Sequence, residues 1–152
     1  MNLELLADHP EAVEQITDWH FETWGQPDGL TREQVRDKVA SFGGRDAAPL
    51  MVLAFEGDSL IGTAAIRLHE MPQFPEFEHW LSAVYVAETH RGRRIGSVLV
   101  DEVLRRARAL GIDRLYLQTE ELTGGLYLRH GFEPLQEVGT VEYRALVMGA
   151  SP

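Results

Sequence analysis

Val84-Tyr85-Val86-Ala87-Glu88-Thr89-His90-Arg91-Gly92-Arg93-Arg94-Ile95-Gly96-Ser97 joins an apolar strand to a long helix through a turn rich in arginine and glycine. The first turn of a helix leaves its backbone N–H groups without partners and carries the positive end of the helix dipole, so such a turn accepts phosphate. Gly92 and Gly96 keep Cβ atoms out of the way of phosphate oxygens, and the arginines add charge-assisted donors. The competing reading is a basic loop that merely caps a surface helix. Gly92 and Gly96 stand four apart with Arg94 between them, so the dinucleotide fingerprint Gly-x-Gly-x-x-Gly is absent, as is any Gly-Lys-Ser/Thr phosphate loop. Both usual nucleotide readings fail, and the identity of the anion stays open at this point.

Outward from this segment the pattern is mixed α/β. Trp80 to Val86 is apolar on both faces, which predicts a central strand. Ile95 to Leu110 carries Leu99, Val103, Ala107 and Leu110 as one apolar stripe, closed by Gly111 with arginines in the last turns. Upstream, Leu3 to Leu6 reads as a short strand and Pro10 to Trp24 as a helix ended by Gln26-Pro27-Asp28-Gly29. Thr31 with Gln34 forms a capping box that starts a second helix reaching Phe42. Leu50 to Phe55 and Leu60 to Leu68 are paired strands about the turn Glu56-Gly57-Asp58-Ser59. Downstream, Leu115 to Gln118 is a strand, Leu122 to His130 a shorter helix stopped by Gly131, and Glu133 to Val138 with Glu142 to Met148 a hairpin about Gly139. Strands and helices neither alternate cleanly nor segregate into a bundle.

Composition narrows the function. A length of 152 residues fits one domain, 1–152. No cysteine is present, which excludes disulfides and a thiol nucleophile. No apolar run reaches the ~18 residues of a membrane helix, and the first residues lack a signal peptide's basic and apolar regions, so a cytoplasmic protein without membrane contact is expected. The net charge of −10 opposes non-specific nucleic-acid binding. Residues 1–90 hold 16 acidic against 5 basic residues, whereas residues 91–152 hold 8 against 9, six of them arginines between Arg91 and Arg108. A compact anion at the basic segment and a cationic partner elsewhere would suit that asymmetry. The six histidines show no metal-binding spacing, so no metal is expected. Gly57-Asp58-Ser59-Leu60 spells an esterase tetrapeptide but lacks the Asp-x-x-His that such enzymes need, and it reads as a hairpin turn.

Arg91-Gly92-Arg93-Arg94-Ile95-Gly96 resembles the Gln/Arg-x-x-Gly-x-Gly/Ala signature of the GNAT superfamily of N-acetyltransferases. Val84-Tyr85-Val86 is similar to that family's strand end, and Tyr127-Leu128-Arg129-His130-Gly131-Phe132 resembles its Tyr-x-x-x-Gly-Phe ending, in the family's order and spacing. The resemblance implies a mostly antiparallel twisted sheet with a splayed parallel pair, flanked by about four helices. It implies acetyl-CoA as cosubstrate, with the pyrophosphate on the amides of Arg91, Gly92, Arg93, Arg94, Ile95, Gly96 and Ser97. The pantetheine arm would lie along Val84, Tyr85 and Val86. Arg94 departs from the family's glycine, and an Arg there keeps its N–H available if φ stays negative. Glu120 and Thr123 stand where an Asn and an Ala are often found before the tyrosine. A homodimer is common among members of the family.

The reaction implied is direct transfer of acetyl to a primary amine of a small molecule or peptide. Only about 0.04% of an amine of pKa ~10.4 is neutral at pH 7, so a base or water chain must take its proton. The backbone N–H of Val86 or its neighbour would steady the oxyanion, and Tyr127, matching the family's general acid, would protonate the departing thiolate. For the base, the position used by histone-type members holds Trp80. Glu78, two residues earlier on the same strand face, is the first candidate, followed by Glu76, His79, His69 and Glu70. Trp19 and Trp24 read as core or as lining of the acceptor cleft. The alternative function is a non-catalytic acyl-CoA-binding regulatory module; a nucleic-acid binder is opposed by the charge.

Overall fold

In the segment Leu50 to Ala54 every residue is buried, because both faces of its strand are covered. Leu50, Val52 and Ala54 join one core cluster; Met51 and Leu53 join another on the opposite face. The computed structural model describes all 152 residues. Its seven strands are β1 (Asn2–Leu5), β2 (Leu50–Glu56), β3 (Ser59–Leu68), β4 (His79–Val86), β5 (Leu115–Thr119), β6 (Glu133–Gly139) and β7 (Arg144–Ala150). They form one mixed sheet in the order β1-β2-β3-β4-β5-β7-β6, antiparallel throughout except for the β4–β5 pair.

Helix α1 (Val13–His20), continued by a π turn at Phe21–Gly25, and α2 (Arg32–Ala40) cover one face over β2 and β3. The capping box of α2 forms as read, with the Gln34 N–H donating to Thr31 Oγ1 at 3.1 Å and the Thr31 N–H donating to Gln34 Oε1 at 2.9 Å. Helix α3 (Ile95–Ala109) covers the other face and buries Leu99, Val103 and Ala107 completely, as its stripe requires. Complete burial of a leucine of this kind contributes roughly 2 kcal/mol. No helix is long and apolar enough to cross a membrane.

The expected helix over Leu122 to His130 is corrected. A turn leads instead into a 3-10 helix at Gly125–His130. Gly124 and Gly125 have φ of +88° and +52°, left-handed conformations that cannot start an α-helix. The hairpin about Gly139 forms, but its second arm, β7, sits inside the sheet between β5 and β6.

Candidate active site at the parting of two parallel strands

β4 and β5 run side by side in the same direction yet share only one register pair, Trp80 with Tyr116. That junction is clamped by aromatic rings. Phe77 stacks on Tyr116 with centroids 3.9 Å apart, and the Trp80 indole donates to the Phe77 carbonyl at 2.7 Å. Beyond the clamp, the edge of β4 from Leu81 to Val86 has no strand partner on its β5 side.

Backbone direction on that edge follows from the β3–β4 ladder. The Ala87 N–H donates to Ile61 O, which brackets Gly62–Val86 as a wide, non-bonded pair. Val86 therefore turns both its N–H and its C=O away from β3, into the gap. Two residues back, Val84 does the same. Between Val84 and Ser82 the ladder breaks: Thr63 pairs with Tyr85 and Ala65 with Ser82, so Ala83 and Val84 together face Ala64. Ala83 takes the left-handed φ of +55° at this bulge, a conformation costing an L-residue roughly 1–2 kcal/mol.

At the strand's end the turn Ala87 to Arg94 delivers the chain to α3. Gly92 has φ +80° and Arg94 φ +61°. The condition that φ at Arg94 stay negative is not met, so Arg94 occupies a glycine-like backbone conformation. No side chain caps α3, and its first helical bond runs from Val98 N–H to Arg94 O at 3.1 Å. The N–H groups of Ile95, Gly96 and Ser97 are left as a bare donor cluster, the form a diphosphate fits. A Cβ on Gly96 would meet nothing closer than Val86 Cγ2 at 3.8 Å, so the cradle tolerates alanine there.

The arginines divide their work. Arg91 Nε donates to the Val86 carbonyl at 3.0 Å, and its guanidinium lies 5.5 Å from the centroid of the Tyr85 ring. Arg93 pairs with Glu56 at 2.8 Å, which holds the Glu56 carboxyl below its usual range. Arg94 enters no ion pair. The side chains of Arg91 and Arg93 thus brace the turn, leaving backbone amides and Arg94 toward its opening. One brace was missed in the sequence: His130 contacts Ser97 Oγ at 3.1 Å and Asp101 at 2.7 Å, tying the last 3-10 helix to the first turns of α3. The four-residue spacing of Ser97 and Asp101, which puts both on one helix face, was the available signal.

Tyr127 sits on that 3-10 helix, packed against the α3-side core with its ring 6.1 Å from Phe132. Burial, helped by the negative charge of Glu70, pushes its hydroxyl pKa up. Glu70 is the buried carboxylate of the opposite face. Its side chain is 8% exposed, accepts from Gln118 Nε2 at 3.0 Å and lies 3.7 Å from Arg67. Gln118 is on β5 two residues past the clamp, so its amide fixes Glu70 beside the gap; the Tyr143 hydroxyl donates to Gln118 Oε1 at 3.3 Å.

Glu78 is not brought to this place. It precedes the clamp, is 58% exposed beside His79, and with Glu76 lines a cavity of about 610 Å³ against Leu110 to Arg114, where α3 ends. β4 begins at His79, so Glu78 lies just before the strand whose face would carry it to the gap. Trp19 stacks on Tyr85 at 4.9 Å, while Trp24 is 39% exposed at the end of the π turn. The esterase-like tetrapeptide is the β2–β3 hairpin, with Gly57 at φ +60°.

The model of the acetyltransferase (GNAT) family matches residues 13–132. Among solved structures, aminoglycoside 6'-acetyltransferase type Ii superimposes with a TM-score of 0.77 at 19% identity, covering 99% of this chain and 97% of that one. An aminoglycoside 6'-N-acetyltransferase complexed with coenzyme A gives 0.75 at 17% identity, covering 99% and 97%. A GNAT-family acetyltransferase from Streptococcus pneumoniae gives 0.72 at 22% identity, covering 99% of both chains. No curated protein sequence matches the chain.

Proposed function

Because the chain belongs to the acetyltransferase (GNAT) family, we propose that it moves an acetyl group from acetyl-CoA directly to a primary amine of a small molecule or peptide, residues 1–152 acting as one domain. One observation carries the reading: the unpartnered edge of β4 runs straight into the uncapped N-terminus of α3. An added strand's worth of hydrogen bonds and a diphosphate cradle are thereby joined end to end, which suits the two halves of the CoA tail.

The chain's own groups supply the steps. The Glu70 carboxylate accepts the proton of the attacking amine as the nitrogen bonds to the acetyl carbon. The N–H of Val84 donates to the carbonyl oxygen as it gains negative charge, and that of Val86 is left for the pantetheine arm. The Tyr127 hydroxyl gives its proton to the sulfur as the carbon–sulfur bond breaks. Glu70 lies on the α1 side of the sheet and Tyr127 packs on the α3 side, so base and acid address the gap from opposite faces. The raised pKa of Tyr127 keeps it protonated, as an acid must be, throughout the neutral range.

The acidic balance of residues 1–90, which carry Glu70 and Asp28, favours a cationic acceptor. Burial, and then the negative charges of Glu120, Glu70 and Asp28, push the Tyr143 hydroxyl pKa up. The aminoglycosides in the names of two structural neighbours are one class of cationic amine to include.

The test is a thiol-release screen over amines with acetyl-CoA, together with calorimetry of acetyl-CoA binding. Binding with amine-dependent release is expected; binding without release on any amine would mean a non-catalytic acyl-CoA module. Tyr127→Phe and Glu70→Gln are each expected to lower kcat about 100-fold while the acetyl-CoA Kd stays within about two-fold. Equal loss of turnover and affinity in Tyr127→Phe would make Tyr127 a packing residue.

A further inference from the structure

We infer that His20 and Thr63 are positioning residues: together they hold the Ala83 carbonyl toward β3 and so aim the Val84 N–H into the gap. The inference rests on the acetyl-transfer reading above, and neither side chain is placed on the reacting atoms.

The geometry runs through one peptide bond. Thr63 Oγ1 donates to Ala83 O at 2.8 Å. The Ala83–Val84 peptide is trans, the only cis bond being Ala48–Pro49, and in a trans peptide the C=O and the following N–H point in opposite directions. Fixing Ala83 O on the β3 side therefore fixes Val84 N–H on the β5 side. At this bulge the register skips Ala64, so the ladder does not hold Ala83 as it holds its neighbours, and the Thr63 hydroxyl takes over.

His20 completes the lock. Its Nε2 lies 3.1 Å from Thr63 Oγ1. Thr63 has one proton and donates it to Ala83, so the hydroxyl is the acceptor in the second bond and His20 Nε2 carries hydrogen. His20 is 6% exposed, with Trp24 edge-on at 4.9 Å and Tyr85 at 6.3 Å. It is also the last residue of α1, immediately before the π turn. The helix over the acceptor face is thus linked through two hydrogen bonds to the backbone donor of β4. A local switch to π geometry is a frequent mark of functional sites, and here it follows the residue that makes the link.

Thr63→Val keeps the shape and removes both bonds. Expected is a fall in kcat of about 10- to 100-fold, since removing an oxyanion donor outright costs 100- to 1,000-fold and misaiming it costs less. The KM for acetyl-CoA should stay within about two-fold, because the diphosphate is held by the first amides of α3 and not by Val84. Thr63→Ser should recover kcat to within about three-fold of wild type. If Thr63→Val fails to fold, His20→Phe breaks the lock from its other end and is expected to show the same split. A second readout needs no turnover: the amide nitrogen shift of Val84 should respond to acetyl-CoA and not to CoA, and Thr63→Val should abolish that difference.

Retention of kcat within two-fold in Thr63→Val would overturn the inference. So would parallel loss of kcat, acetyl-CoA affinity and melting temperature that Thr63→Ser does not rescue. Should the wild-type protein turn over no amine, the acetyl-transfer reading falls. The Val84 signal then decides alone: a response to acetyl-CoA that depends on Thr63 sustains the positioning role, and an indifferent Val84 refutes it.

Discussion

Arg94 holds φ at +61° at the N-cap of α3, where its Cβ makes a left-handed backbone costly. Its side chain enters no ion pair to offset that strain. Arg94→Gly is therefore expected to stabilise the protein by about 1 kcal/mol, less the entropy that glycine adds to the unfolded chain, and to preserve or improve CoA affinity, because the donors in question are main-chain N–H groups. Urea unfolding and calorimetry check the two parts separately; a collapse of affinity would make the guanidinium itself a ligand. The uncapped helix start that glycine and arginine signal in this turn was legible, because helix ends have only one way to present free amides. The division of labour among the arginines was not legible. Arg91 braces Val86 and Arg93 braces Glu56, and Glu56 lies at the end of a strand 37 residues earlier. No local pattern reports a partner at that distance.

α1 carries a pH-dependent term at its last residue. Burial, then the nearby Lys38 charge, lowers the His20 pKa to about 4 from an ordinary 6.5. Between those values the unfolded chain binds the proton that folded His20 refuses, so stability falls as pH drops from 6.5 to about 4 and levels off below. The shift corresponds to roughly 3 kcal/mol. His9 works in the opposite sense, its pKa raised chiefly by its bond to Glu4, but the pair is open to solvent on the Glu4 side and contributes little. Urea unfolding across pH 4.5 to 7 is expected to show this slope in the wild type and to lose most of it in His20→Phe; an unchanged slope in the variant would assign it to other groups. Elements of this kind were readable wherever an apolar period met a cap or a glycine. The α2 capping box, the α3 stripe and the β2–β3 hairpin all formed where those signals stood. The segment before Tyr127 failed as a helix because Gly124 and Gly125 spend their freedom on positive φ. Strand alternation singles out Glu78 in the sequence, whereas nothing local reports a carboxylate such as Glu70 fixed by an amide 48 residues away.

The whole molecule divides its charge along the chain and across the gap. The 16 acidic residues of the first 90 include Glu70, which Gln118 holds beside the gap. The arginines between Arg91 and Arg108 lie along the turn and helix that would take the diphosphate. A cationic acceptor and an anionic cosubstrate, as proposed, would thus approach surfaces of opposite sign, each steered over a distance set by the ionic strength. The Debye length shrinks from about 30 Å at 0.01 M salt to about 8 Å at 0.15 M, short enough to screen charges at the rim while leaving buried Glu70 largely unscreened. For a polycationic amine, KM is therefore expected to rise several-fold across that range while kcat changes by less than two-fold, because rim charges act on encounter whereas Glu70, in the proposed mechanism, acts on the chemical step. A monoamine of similar size should show a much weaker dependence. Steady-state kinetics with both acceptors at matched pH makes the comparison. Equal salt dependence for the two would mean that the acidic half of the chain solubilises the protein without selecting its acceptor.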